Sequence, residues 1–261
     1  MFDSILVWTL ISEGMTDLGH CTAAILVGGL GTRLRSVVAD RPKILAEVRG
    51  QPFLTYLLDQ LVESGCKNAV LCTGYLGEQV SATFGDAYRS MRLFYSQESS
   101  QLGTGGALRL ALPLFESDYV LAMNGDSFCH ANLSDFWTWH IAQDAEAAIL
   151  LTQVSDTKRY GRVQVESSGK VQKFEEKGDT EGSGWINAGL YLLNRRLLAT
   201  IPTGGAISLE REIFPTWIGR GLYGYCSQGR FLDIGTPESY NMATQFFAPE
   251  TPVWGKNSSF C

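Results

Sequence analysis

The sequence predicts an α/β protein built on a doubly wound, mostly parallel, Rossmann-like sheet with a smaller β-rich lobe. Three observations predict it. From residue 22 onward, short apolar runs of strand length alternate with stretches of helical periodicity, the pattern of parallel strands joined by crossover helices. A glycine-rich turn follows directly on the first of those runs. After about residue 147 the helices thin out and strands follow strands, which predicts the lobe. Glycine supplies 28 of 261 residues with no collagen-like period, so the glycines serve turns and close backbone approaches.

Each element has a local reason. Residues 22–27 form an apolar strand that runs into Gly28, Gly29 and Gly31. Gln51-Pro52 opens a helix with Leu54, Leu57, Leu58, Leu61 and Val62 on one face, and Gly65 stands where the chain leaves it. A strand at 69–73, a short helix near 78–84 and a strand at 92–95 follow. A second glycine loop, 102–106, precedes a helix through 107–112 and a strand at 119–123. In the second half, 147–153 and 162–166 read as strands. Ser167-Ser168-Gly169 turns the chain back into 170–175, a hairpin. A strand at 185–193 comes next. A helix around 209–220 contains Pro215, which kinks or divides it. Strands at 222–227 and 230–233 precede a helix opened by Thr236-Pro237. Residues 1–21 read as an extension, 22–247 as one domain and 248–261 as a loose tail.

Composition excludes several classes. Lys+Arg 21 against Asp+Glu 27 leaves a net charge of −6, which argues against nucleic acid and anionic membranes as partners. No apolar run approaches a membrane span, and the N-terminus lacks a basic region ahead of its apolar residues, so a secretory signal is not expected. The six cysteines show no C-x-x-C or zinc spacing, and most of them read as small buried hydrophobes of a reduced, cytoplasmic protein. His20, His130 and His140 form no nucleophile or metal pattern and read as core or surface residues.

The strongest chemical signal is Gly28-Gly29-Leu30-Gly31-Thr32-Arg33-Leu34, followed by Pro42-Lys43. Glycines directly after a strand bring bare backbone N–H groups close to an anion, and Arg33 and Lys43 add fixed positive charge. Neither standard phosphate motif fits. No Gly-Lys-Ser/Thr follows at the required spacing, and Leu34 stands where a dinucleotide fingerprint needs its third glycine. Asp126 and Asp233 each end an apolar strand, where open α/β sheets bind ligands. A turn aspartate is the competing reading for each. Asn124-Gly125 alone would suggest a hairpin, yet no alternating strand returns after it.

The string Gly-Leu-Gly-Thr-Arg-Leu with its downstream Pro-Lys resembles the signature of sugar-1-phosphate nucleotidyltransferases. The resemblance runs from about residue 22 to about 245. It takes in Leu102-Gly103-Thr104-Gly105-Gly106, Asn124-Gly125-Asp126, Phe174-Glu175-Glu176-Lys177, Asn187-Ala188-Gly189 and Asp233-Ile234-Gly235-Thr236-Pro237, in the family's order. Ile44 is less usual there, and residues 1–21 and the tail match nothing. The resemblance implies transfer of a nucleoside monophosphate from an NTP to a sugar 1-phosphate, releasing pyrophosphate. Residues 102–106, Arg159-Tyr160-Gly161 and 231–237 look particularly like members that use GTP and make a GDP-heptose.

The implied roles follow. Arg33, Lys43 and Asp126 would be catalytic, with Arg33 on the α- and β-phosphates. Gly28, Gly29, Gly31, Thr32, Glu98, Leu102, Gly103, Thr104 and Gly105 would bind the nucleotide, Glu98 accepting from guanine N1–H and N2–H₂. Gly125, Tyr160, Gly161, Glu176, Lys177, Asn187 and Gly189 would bind the sugar phosphate. Asp126 and Asp233 would hold Mg²⁺, an ion suited to few carboxylates plus phosphate oxygens. Lys158 and Arg159 read as rim charges. Trp185 reads equally as pocket lining or core. Small-molecule substrates are the expected partners, with a homo-oligomer left open. Rival readings are another triphosphate or sugar in the same family, a non-catalytic nucleotide-sugar sensor on the same fold, and a glycosyltransferase. The last is disfavoured because no Asp-x-Asp follows a strand.

Overall fold

The computed structural model describes residues 17–29, 34, 37–38, 40–175 and 182–249. Its strands are β1 (Thr22–Leu26), β2 (Glu47–Val48), β3 (Gln51–Pro52), β4 (Asn68–Thr73), β5 (Ala87–Tyr88), β6 (Met91–Gln97), β7 (Tyr119–Asn124), β8 (Ser127–Cys129), β9 (Ala147–Val154), β10 (Arg162–Val165), β11 (Val171–Glu175), β12 (Gly184–Asn194), β13 (Leu222–Ser227) and β14 (Phe231–Asp233). The helices are α1 (Phe53–Glu63), α2 (Gly77–Phe84), α3 (Gly103–Ala111), α4 (Leu133–Ala142), α5 (Arg195–Ala199), α6 (Phe214–Trp217) and α7 (Pro237–Phe246).

Eight strands form one sheet in the order β13-β9-β12-β7-β1-β4-β6-β5. The strands β7, β1, β4 and β6 are mutually parallel. β12 lies antiparallel to both β7 and β9, and β13 is parallel to β9. The sheet is therefore mixed, with the expected parallel half carrying the glycine loops. The β-rich part consists of the β10–β11 hairpin and the β14–β8 ribbon.

Apolar strands buried on both faces explain the layering. In β1, Ala23 and Ile25 point to one core and Ala24 to the other. β4 divides the same way, Ala69 and Leu71 against Val70 and Cys72. The first core is covered by α1, through Phe53, Leu54, Leu57, Leu58 and Leu61, and by Phe136 and Trp137 of α4. The second is covered by α3, through Ala107, Leu108 and Ala111, and by Leu209, Phe214 and Trp217. Packing begins before β1: Leu18 is fully buried and its N–H donates to the Ser64 carbonyl at 3.1 Å.

Two local expectations need correction, and one helix had no expectation. The second glycine loop is not a separate loop: Gly103 already opens α3, and its N–H groups face residues 207–209. The predicted helix over 209–220 is a π-helical turn, Leu209–Ile213, followed by the short α6 with Pro215 in its first turn. α4 went unread, because its aromatic and histidine residues mask a helical period that Asn132 starts by capping Ser134 and Asp135 N–H. Trp185, left open between pocket and core, packs against the second core.

Candidate active site

The carboxyl ends of β1, β6 and β7 open onto two adjoining cavities. One, of about 440 Å³, is lined by Leu26, Val27, Gly28, Gly29, Lys43 and Glu98 together with the start of α3. The other, of about 510 Å³, is lined by Tyr160, Gly161, Glu175, Asn187, Glu210 and Asp233, among others. Gly103, Thr104, Asn124 and Asp126 line both. These four form the partition between the cavities.

Asp126 is placed by the end of β7. Gly125 must pass the strand edge closely: its N–H donates to Leu26 O at 2.9 Å, and a Cβ there would lie 2.7 Å from that oxygen. Asp126 then meets Lys43, whose Nζ lies 2.5 Å from Oδ2. The lysine side chain is 14% exposed and the aspartate 39%, so the pair sits at the cavity floor with its carboxylate facing solvent. Asp233 reaches the same edge by another route. Its strand β14 belongs to the ribbon, not to the main sheet, and pairs Asp233 with Ser127. The next residue, Ile234, donates its N–H to Asp126 O at 2.9 Å. Arg159 Nη2 stands 3.9 Å from Asp233 Oδ2 at the rim, and Gly235 N–H donates to Oδ1.

Hard carboxylate oxygens at one edge, beside a cavity, are the donor set that Mg²⁺ takes when phosphate oxygens and water complete its shell. Asp126 and Asp233 fit that ion. Each carboxylate faces a cation in the protein alone, Lys43 or Arg159. Among the described residues no cluster of three or more His, Cys, Asp or Glu could form a protein-only metal cage.

On the smaller cavity, Glu98 lies where β6 ends. Its Oε2 accepts Leu102 N–H at 3.1 Å, and Oε1 packs against the α-carbon edges of Gly28 and Gly74. Burial pushes its carboxyl above the usual range, and the Leu102 bond partly offsets this. Gly103 has φ +68°, and a Cβ there would lie 2.5 Å from Ile207 O; only glycine makes that turn. Gly105 N–H donates to the same oxygen at 2.8 Å. Leu102 itself does not line either cavity; it precedes the turn and receives Ile207 N–H on its carbonyl at 2.8 Å.

On the larger cavity, β12 bulges between Asn187 and Tyr191. Gly189 in the bulge has φ +76°, and a Cβ would press within 2.8 Å of both Asn124 Nδ2 and Ser127 Oγ. Asn187 Oδ1 accepts Gly189 N–H at 2.8 Å. Tyr160 stands edge-on to Phe231, and burial, then Asp233, raise its phenol. Two acceptors on this side are buried with no donor among the described residues: Asn124 Oδ1 and Glu175 Oε2.

Of the predicted residues, Gly28, Gly29, Lys43, Glu98, Gly103, Thr104, Asp126, Tyr160, Gly161, Asn187, Gly189 and Asp233 come together around the two cavities. Gly105 and Gly125 stand just behind the lining and shape it. Gly31, Thr32, Arg33, Glu176 and Lys177 lie outside the described residues. The sequence reading missed Asn124, Ser127, Arg162, Glu175, Ser208, Glu210 and Arg211 as lining residues. Asn124 and Glu175 each stand inside a motif of the family resemblance, beside the residues given roles there. Residues 208–211 offered no local signal, because they join the site through contacts with Thr104, about a hundred positions away.

A family model described as "Nucleotidyl transferase" matches residues 22–250. The chain belongs to this family. It is 35% identical over 222 residues to D-glycero-α-D-manno-heptose 1-phosphate guanylyltransferase of Aneurinibacillus thermoaerophilus, covering 85% of this chain and 96% of that one. It is 34% identical to mannose-1-phosphate guanylyltransferase of Mycobacterium tuberculosis, covering 84% of this chain and 62% of that longer enzyme. Among solved structures, HddC from Yersinia pseudotuberculosis complexed with GMP-PN superimposes with a TM-score of 0.76 at 30% identity. That match covers 87% of this chain and all of HddC. The two-cavity cleft is therefore the candidate active site of a nucleotidyl transferase, on the fold expected from the sequence.

Proposed function

We propose that this enzyme transfers GMP from GTP to a sugar 1-phosphate, giving a GDP-sugar and pyrophosphate, and that D-glycero-α-D-manno-heptose 1-phosphate is the preferred acceptor. The observation that carries the reaction class is the shared edge. Lys43, Asp126 and Asp233 meet where one cavity lined by glycines adjoins a second lined by polar side chains. Two small cavities with one charged partition suit two substrates that must meet end to end. The heptose assignment rests on the relative matched over nearly its whole length.

A sugar phosphate oxygen attacks the α-phosphorus of GTP in line, and the bond to pyrophosphate breaks. The attacking phosphate is already an anion at neutral pH, so no side chain need remove a proton. Positioning and charge stabilisation carry the reaction. The glycine turn after β1 and the start of α3 seat the nucleotide, with Glu98 reading the base. Asn187, Tyr160-Gly161 and the orphaned acceptors Asn124 Oδ1 and Glu175 Oε2 seat the sugar hydroxyls. Lys43, poised on Asp126, lends positive charge to the phosphates. Arg33 adds charge on the nucleotide side, and Lys177 holds the sugar phosphate with Glu176 on its hydroxyls, as the family resemblance implies. Asp126 and Asp233 would hold Mg²⁺, which when bound neutralises charge on the phosphate oxygens.

The small-molecule site and the free cysteines among the described residues (Cys21, Cys66, Cys72, Cys129 and Cys226) support a cytoplasmic setting. No described helix is long and apolar enough to cross a membrane. A matrix of four triphosphates against heptose, mannose and glucose 1-phosphates, read by pyrophosphate release, tests the proposal. GTP with the heptose phosphate should give the highest kcat/KM. A preference for mannose 1-phosphate would correct the sugar, and a preference for another triphosphate would correct the base.

A further inference from the structure

A chain of hydrogen bonds whose links carry no role so far ties the partition between the cavities to the wall of the larger one. It centres on Glu210, in the π-helical turn Leu209–Ile213. Glu210 Oε2 accepts the Thr104 hydroxyl and the Ser208 hydroxyl, each at 2.9 Å. Glu210 Oε1 accepts the Tyr191 hydroxyl at 3.0 Å. Tyr191 is fully buried, and its hydroxyl oxygen accepts Asn187 Nδ2–H at 2.9 Å. Thr104 Oγ1 in turn accepts Leu209 N–H at 2.8 Å.

The chain runs from the partition that the two cavities share into the larger cavity, which Glu210 also lines. Thr104 is in the first turn of α3 and lines both cavities; Asn187 is in the bulge of β12 and lines only the larger one. The elements between them are tied down at every step. The turn at 207–209 is fastened to α3 through Ile207 N–H to Leu102 O at 2.8 Å and Gly105 N–H to Ile207 O at 2.8 Å. On the other side, Tyr191 packs on Phe214 with ring centroids 5.1 Å apart. A carboxylate that accepts three hydroxyl donors is a stiff junction, because charge-assisted bonds are short and directional. π-helical turns recur where a functional side chain must be re-aimed.

We infer that Glu210 is a positioning residue that couples the nucleotide and sugar subsites, so that filling one cavity prepares the other. The inference rests on reading the two cavities as those subsites. Occupation of the smaller cavity holds Thr104. Through Glu210 and Tyr191 this fixes the rotamer of Asn187, the group that meets the sugar. The coupling is reciprocal: the factor by which a sugar phosphate improves nucleotide binding equals the factor in the other direction.

The test measures binding of a GTP analogue with a non-cleavable α–β bridge, with and without saturating heptose 1-phosphate, by calorimetry on the full chain. The wild type should bind the analogue roughly fivefold or more tightly in the presence of the sugar phosphate. Glu210→Ala, Thr104→Val and Tyr191→Phe should each bring that factor close to one. The double variant Thr104→Val/Tyr191→Phe should lose no more coupling than either single variant, since both cut the same chain. Glu210→Gln keeps an acceptor for Tyr191 and should retain part of the coupling. Thermal midpoints of the two conservative variants, Thr104→Val and Tyr191→Phe, check that the fold persists.

The inference is overturned if the wild type binds both ligands independently, or if coupling survives in the conservative variants. It is also overturned if Glu210→Ala raises only the KM for the sugar phosphate, which would make Glu210 a direct sugar ligand. A wild type that binds neither ligand contradicts the functional reading itself, and this inference with it.

Discussion

The two cavities are nearly equal in size but are built in opposite ways. The smaller leans on backbone and apolar side chains: glycines at the end of β1 and the start of α3, with Leu26, Val27, Ile44 and Ala107, and Lys43, Glu98 and Asp126 as its charged groups. The larger is made of side chains: Glu175, Asn187, Glu210, Arg162 and Asp233 converge from separate strands and turns. A flat base and a triphosphate need close approach and N–H donors, which backbone supplies. A sugar presents hydroxyls in a stereochemical pattern, which only placed donors and acceptors can read. The first construction tolerates little change of shape, and the second little change of chemistry.

Predictions can break or sharpen that contrast. The largest effect should fall on the shared edge, which serves both cavities. Asp126→Ala and Asp233→Ala should each lower kcat by at least about a hundredfold and weaken Mn²⁺ binding measured by electron paramagnetic resonance. Near-normal turnover in both would remove the metal assignment. Next comes a shape change on the backbone side. In Gly103→Ala the new Cβ meets Ile207 O in a left-handed turn. The variant should lose about 1–3 kcal/mol of stability and bind GTP at least about tenfold more weakly, with a smaller change for the sugar phosphate. Equal losses on both sides would blur the distinction.

A smaller effect should follow a chemical change on the backbone side. Glu98→Gln replaces one acceptor oxygen by a donor, and the preference for GTP over ATP should fall about tenfold in kcat/KM. Unchanged base preference would show that another group reads the purine. The smallest effect lies outside both cavities. His140 is buried between Trp137 and Tyr119 with neither ring nitrogen partnered among the described residues. Burial lowers its pKa from 6.5 to about 4. The folded state therefore resists a proton that the unfolded chain accepts, so stability is full above pH 6.5 and falls as pH drops toward 4. The loss over that window is on the order of 3 kcal/mol. His140→Phe should flatten the acid side of the melting profile without moving either KM. A profile as steep as the wild type would place the acid sensitivity elsewhere.

The contrast also explains what could be read from the sequence. The smaller cavity was legible because its determinants fall in two short runs, the strand, glycines and Pro42-Lys43 in one and residues 102–106 in the other. Asp126 and Asp233 were legible as strand-end carboxylates, but their meeting was not. It depends on β14 pairing with β8, two three-residue strands too short to announce a partner. Glu210 was hidden for the same reason on a larger scale, since its partners Thr104 and Tyr191 come from other elements. The antiparallel placement of β12 escaped notice too. Its apolar run of Leu190, Tyr191, Leu192 and Leu193 is buried on both faces like a parallel strand, and carries no sign of direction.

The stereochemical course at the α-phosphorus tests the central claim most directly. GTP chirally substituted with sulfur at that position is turned over with heptose 1-phosphate, and the configuration of the GDP-sugar is read by ³¹P spectroscopy. Two substrates meeting across one partition predict inversion, the outcome of a single in-line displacement. Retention would require an intermediate bonded to the protein and would contradict this account of the cleft.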